Sequence, residues 1–203
     1  MKQSRFPTVL FWLALAAIVA YSSLAVAGTL TESVVLVASS RQEGSLYDQT
    51  VVIVTALPDG SHFGFILNRP TRFEVQTLFP KDEAASKVKE RVSFGGPTSP
   101  TAVFAVTRSD VAADGQLQLA PGLVVALDPA AVEAVMRDTP SDARYFLGLM
   151  AWEPDELEQE IAQSMWELHH ADANLVFGAA SGRGLWSQLR APMAGLSSRW
   201  RLL

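Results

Sequence analysis

Residues 50–68 limit the fold more than any other stretch of the chain. Val51-Val52-Ile53-Val54-Thr55 is a short β-branched run, Pro58-Asp59-Gly60 follows it, and the chain returns as His62-Phe63-Gly64-Phe65-Ile66-Leu67. β-branched and aromatic side chains fit a pleated, half-buried surface. Proline presets one turn position, and glycine accepts the positive φ that tight turns need. The simplest structure that satisfies all three pieces is one antiparallel hairpin. Its return arm stops at Asn68-Arg69-Pro70. Proline cannot donate to a ladder and holds the residue before it extended.

Several shorter signals extend this pattern. Val34 to Ala38 reads as a buried strand, as do Val92-Ser93-Phe94, Ala102 to Val106 and Tyr145 to Leu149. Gln116-Leu117-Gln118-Leu119 alternates as a half-exposed strand should, and Leu123 to Leu127 continues in that style. Phe73 to Phe79 suits a short helical turn before Pro80, and the charged stretch from Lys81 to Arg91 suits a solvated helix or loop. Asp128-Pro129 is a helix cap followed by proline at the first helical position, with Val132, Val135 and Met136 forming one apolar face. Pro154 opens a second expected helix, with Leu157, Ile161, Met165 and Leu168 as its stripe and Trp166 nearly opposite. Asn174 to Phe177 reads as a late strand, Leu185 to Leu189 as a short helix, and Ala191 to Leu203 as a loosely held tail. Hairpins mixed with isolated helices point to a single α+β domain, with a curved mixed sheet or β-barrel-like core flanked by helices.

The N-terminus reads as an export signal. Lys2 and Arg5 precede an apolar run from Val9 to Ala20, and Ala25-Val26-Ala27 gives the small-x-small pattern before Gly28. Residues 1–27 are therefore expected to be a signal peptide, and residues 28–203 the domain. An uncleaved anchor over residues 6–27 is the other reading, and it is the expected route to any membrane association. The expected location is the periplasm, with tethering to the inner membrane in the uncleaved case. Without Lys2 and Arg5 the remainder carries 14 basic and 21 acidic residues, a net charge of −7. Such a field repels phosphate backbones, so no nucleic-acid partner is expected. There is no cysteine, so neither a disulfide framework nor a lipid-modified cysteine is available.

Searches for a catalytic set end without one. Cysteine is absent and so is the serine elbow G-x-S-x-G. Ser86 and Lys89 match S-x-x-K, without the companion S-D-N and K-T-G motifs. His169 and His170 are adjacent, which is unsuitable for chelation from one helix face, and no metal site is expected. Gly178 to Gly184 follows a strand-like run and contains Arg183, but lacks the lysine-serine ending of a phosphate loop. Glu153, Asp155, Glu156 and Glu158 crowd a helix start, where the helix dipole already accounts for acidic residues. No cofactor is expected. Arg69 has two readings: its planar five-donor fork ties neighbouring loops together, or it receives an anionic or carbonyl-bearing ligand.

Taken together, V-V-L-V-A-S-S at 34–40, G-F-I-L-N-R-P at 64–70, F-G-G-P at 94–97, A-W-E-P-D-E-L-E-Q-E at 151–160 and N-L-V-F at 174–177 resemble the YqgE/AlgH family. The resemblance runs over nearly the whole chain beyond residue 28. It implies one α+β domain with a barrel-like core; the family has no established biochemical activity, and its name comes from a proposed regulatory role in alginate production. Three departures stand out. Ser40 replaces a usual proline, Ala151 and Glu153 replace usual glycines, and Glu156 stands where glutamine is common. Most family members also lack an export signal.

The expected function is that of a non-enzymatic binding or regulatory protein outside the cytoplasmic membrane. Its partner would be a protein or a small anionic ligand. The candidate groove is Asn68, Arg69, Gly95, Gly96 and Trp152, since glycines admit close backbone approach and tryptophan gives a flat apolar wall. The alternative is a hydrolase acting on an envelope substrate, using the carboxylates after Trp152.

Overall fold

A computed structural model describes residues 30–178 and 183–190. The expected signal peptide, most of the Gly178 to Gly184 loop and the tail from Ala191 onward lie outside the described residues. No described helix is long and apolar enough to cross a membrane.

Among the described residues ten strands and five α-helices form the domain. The first half contains β1 (Val34–Ala38), β2 (Val51–Ala56), β3 (His62–Ile66), β4 (Pro70–Glu74), helix α1 (Val75–Leu78), β5 (Arg91–Phe94) and β6 (Thr98–Arg108). The second contains β7 (Gln116–Ala120), β8 (Leu123–Ala126), α2 (Pro129–Asp138), β9 (Ala143–Trp152), α3 (Glu156–Ala162), β10 (Trp166–His170), α4 (Ala173–Phe177) and α5 (Arg183–Arg190). The main sheet runs β10-β1-β2-β3-β9-β6-β8-β7 and curls into a half-barrel. The expected hairpin is β2–β3, in antiparallel register from Val52 opposite Ile66 to Ala56 opposite His62. Inside the curl, Phe65 packs tilted against Phe104 and Phe146 at ring-centre distances of 5.6 and 5.0 Å. The apolar face of α2 covers Ala105, Ala126 and Tyr145 on another side of the sheet. Asp128 caps that helix as expected, with Oδ1 accepting from the Ala131 N–H at 2.8 Å.

β9 organises the rest. One of its edges carries β6 antiparallel. The other is shared between β5, which pairs in parallel at Phe146 and Leu147, and β3, which pairs antiparallel from Met150 to Trp152. The segment Gly95-Gly96-Pro97 must therefore pass across β9, from the β5 edge to the β6 edge. It crosses at Gly148, whose φ is +69°. A Cβ on Gly148 would lie 2.2 Å from the Gly96 carbonyl oxygen, and one on Gly96 would lie 2.2 Å from the Leu149 carbonyl carbon. Two backbones in contact leave no room for side chains, which explains the paired glycines.

Two expected elements are corrected. The helix after Pro154 ends at Ala162 instead of running to Leu168. Ser164 turns left-handed at φ 59°, and Trp166–His170 becomes an edge strand against β1. Ser39 captures the turn: its N–H donates to the Met165 carbonyl at 3.0 Å, and its hydroxyl donates to the Ser164 carbonyl at 2.6 Å. His169 and His170 consequently face opposite sides of a strand. Residues 173–177, expected as a strand, form α4, whose start is capped by Asp172 accepting from the Asn174 N–H at 2.8 Å.

Candidate functional site

Asn68 extends the hairpin with its side chain. The Leu67 N–H still donates to the Val51 carbonyl at 2.8 Å. One residue later the Asn68 amide takes over: Oδ1 accepts from the Val51 N–H at 2.9 Å, and Nδ2 donates to the Gln49 carbonyl at 2.7 Å. Asn68 is only 4% exposed, so these bonds satisfy backbone groups away from water. They also fix the residue 45–50 loop, in which Gln49 is left-handed at φ 56°.

Arg69 links this corner to the next strand pair. Its carbonyl accepts from the Phe94 N–H at 2.8 Å, and its Nη2 donates to the Asp48 carbonyl. Pro70 does not end pairing, as its lack of an N–H suggests; it is the first residue of β4, opposite Ser93 of β5. A strand's first residue is where proline is tolerated. Arg69 is half-buried and forms no ion pair among the described residues. The other well-buried arginine is different. Arg144 donates to the Val176 carbonyl at 2.7 Å and to Ser93 Oγ at 3.2 Å, with Glu90 at 3.9 Å. Burial holds its guanidinium below the usual arginine range despite Glu90.

A cleft of about 610 Å³ opens over Arg69, between the residue 45–49 loop and the start of β4. Ser45, Leu46, Asp48, Thr71 and Phe94 complete its lining. The site thus combines one cation, Arg69, one carboxylate, Asp48, several hydroxyl and amide groups, and the apolar side chains of Leu46, Pro70 and Phe94. That is chemistry for holding an anion with an apolar neighbour.

The five expected groove residues do not converge. Asn68 and Arg69 line the cleft, whereas Gly95 and Gly96 are buried in the backbone crossing. Gly95 donates to the Leu147 carbonyl and accepts from the Ile66 N–H, both at 2.9 Å. Trp152 sits opposite His62, at the far end of β3 from Asn68. Its indole N–H donates to Glu160 Oε2 at 3.0 Å, and the same oxygen accepts from Trp166 Nε1 at 2.6 Å. Both indoles are 4% exposed, so Trp152 is part of a core bracket. Backbone contact and burial make Gly95, Gly96 and Trp152 scaffold; Leu46 and Asp48 carry no motif and reach the cleft through loop geometry, while Phe94, the first residue of F-G-G-P, reaches it from the end of β5.

Other expected candidates have local partners. The Ser86 hydroxyl donates to the Glu83 carbonyl at 2.6 Å in an exposed turn. Glu156 Oε2 accepts from the Glu153 N–H at 2.9 Å, closing the start of α3. Glu158 is buried beside His62: its Oε1 accepts from the Leu30 N–H at 2.9 Å, while His62 Nε2 donates to the Leu30 carbonyl at 2.9 Å. Those two side chains hold the N–H and the carbonyl of one residue, Leu30. Among the described residues no group of three metal-ligating side chains is assembled.

The AlgH-like family model matches residues 35–196. The chain belongs to this family. A UPF0301 protein of Chlorobium phaeobacteroides is 31% identical over 157 residues, covering 75% of this chain and 81% of its own. A UPF0301 protein of Ruegeria pomeroyi is 29% identical over 146 residues, covering 69% and 79%. The solution structure of the AlgH protein from Pseudomonas aeruginosa superposes with a TM-score of 0.67 at 18% identity, covering 98% of both chains. The crystal structure of a Corynebacterium diphtheriae protein gives a TM-score of 0.64 at 24% identity, covering 81% of this chain and 89% of that one. At these identities the structural likeness speaks for the fold, an AlgH-like α+β half-barrel.

Proposed function

We propose that this AlgH-like protein is a non-enzymatic binding or regulatory protein acting outside the cytoplasmic membrane, and that the Arg69 cleft is its receptor for an anionic group. The observation that carries the reading is a half-buried guanidinium lining a cleft without forming an ion pair among the described residues, not even with Asp48 in the same lining. A cation removed from bulk water is better stabilised by a counter-charge, and a planar fork suits a carboxylate or phosphate. Asn68 supports the role by fixing both walls, so little ordering is needed on binding.

The export half of the proposal rests on the N-terminal pattern of Lys2, Arg5 and Ala25-Val26-Ala27. The hydrolase alternative has weaker support, because Glu156 and Glu160 are both engaged in local hydrogen bonds. Titration of the full chain with acetate, succinate and phosphate, followed through the Arg69 Nε–Hε resonance, tests the receptor. Saturable shifts of Arg69 Nε–Hε and of the backbone amides of residues 45–50 are expected, with the amide shifts lost in Arg69→Lys; an unresponsive Arg69 would remove the assignment. Protease protection of the protein in intact cells but not in spheroplasts is the expected sign of export, and protection in both would contradict it.

A further inference from the structure

The cleft opens directly onto an unpaired strand edge. β4 has a single strand neighbour, β5, among the described residues, and its first two residues, Pro70 and Thr71, line the cleft. Four of its five residues are exposed, including Arg72 and Phe73. An exposed edge is a template for another extended chain; on this one Pro70 offers a carbonyl without an N–H, and the Phe73 N–H already donates to Thr71 Oγ1 at 3.0 Å, so pairing is confined to the groups between and beyond them. This edge starts beside Arg69, and two apolar groups, Leu46 and Phe94, stand in the same cleft. Leu46 is 64% exposed and so is available to a partner in the cleft.

Resting on the anion-receptor reading above, we propose that the occupant is the C-terminal end of an extended peptide. Its terminal carboxylate meets the Arg69 guanidinium, its last backbone groups pair with the open edge of β4, and its last apolar side chain packs on Leu46 and Phe94. At the receptor itself charge favours a carboxylate, because Arg69 has no ion-pair partner among the described residues; along the rest of the path Asp48 and Glu74 balance the two arginines, so the preference is set at Arg69. The cleft volume, about 610 Å³, is in the range of small-ligand pockets and suits a peptide end. A free inorganic anion would use Arg69 alone and leave the edge and both apolar groups idle. Peptide capture on a sheet edge draws affinity from the main chain and selectivity from pockets for alternate side chains.

The test uses the unaltered full chain and three probes: a pool of hexapeptides randomised at the last three positions with free carboxyl ends, the same pool amidated, and acetate. Binding is read by affinity capture and by NMR shifts. At least tenfold tighter retention of free-acid peptides than of amidated ones, with shifts along Pro70–Glu74, is the expected result. N-methylation of the last two peptide amides should weaken capture by a similar factor. If acetate shifts Arg69 but acid and amide peptides are retained equally, the peptide proposal is overturned and the anion receptor stands. If no probe moves Arg69, both fall.

Discussion

Replacing Glu160 by alanine should be among the most costly single changes outside the strand core. One carboxylate oxygen accepts from two indoles, at 3.0 Å from Trp152 and 2.6 Å from Trp166. Hydrogen bonds to a charged group contribute roughly 1.5–3 kcal/mol each, and an orphaned buried donor costs about 1–3 kcal/mol. Both indoles are 4% exposed, but Glu160 itself is half-buried, so water can reach part of the vacated space. A total of about 3–5 kcal/mol follows, within a stability of roughly 5–15 kcal/mol for such a domain. Glu160→Gln keeps an oxygen with two lone pairs and loses only the charge, so it should cost about 1–2 kcal/mol. Urea unfolding followed by tryptophan fluorescence reads both. With a slope of about 2 kcal/mol/M, the alanine variant should unfold roughly 2 M earlier than the parent. An alanine variant within about 1 kcal/mol of the parent, or a glutamine variant as unstable as the alanine one, would refute the bracket as drawn.

Two further outcomes follow from the same geometry. Gly148→Ala adds a left-handed penalty of about 1–2 kcal/mol and drives a Cβ to 2.2 Å from the Gly96 carbonyl, so the loss should exceed about 4 kcal/mol and reduce soluble yield; a parent-like urea midpoint would contradict the crossing. Tyr145→Phe should be neutral or stabilising by up to about 1 kcal/mol, because the Tyr145 hydroxyl is buried without a hydrogen-bond partner among the described residues and burial pushes its ionisation well above the usual tyrosine range; a loss above about 2 kcal/mol in thermal unfolding would reveal a partner.

The hairpin, the capped helix α2 and the barrel-like sheet were legible because each depends on local chemistry: the Pro58-Asp59-Gly60 turn, the Asp128-Pro129 cap and the β-branched runs. The expected helix holds over Glu156–Ala162 and fails only from 163 to 168, for a specific reason. Leu157, Ile161, Met165 and Leu168 satisfy a helical period, while Trp166 to His170 also alternates as a strand does. The choice is made by β1, which needs an edge partner and holds the turn through Ser39. Asn174–Phe177 failed likewise, because the Asp172 cap outweighs the strand-like composition of its apolar residues. At the site, Arg69 was visible from its proline neighbour. Trp152 was grouped with it because a motif marks a position without locating it, and the register of β3 with β9 separates the two.

Arg69 decides whether this corner is a receptor or only a brace, and one paired measurement on Arg69→Gln separates the two. Among the described residues its guanidinium makes one hydrogen bond to a carbonyl, at Asp48, so losing it should cost only about 1 kcal/mol in urea unfolding. Anion binding by the same variant, read by calorimetry with succinate and with free-acid peptides, should fall at least tenfold. A variant that loses several kcal/mol of stability while binding anions as the parent does would show that Arg69 serves the fold and that the receptor is elsewhere.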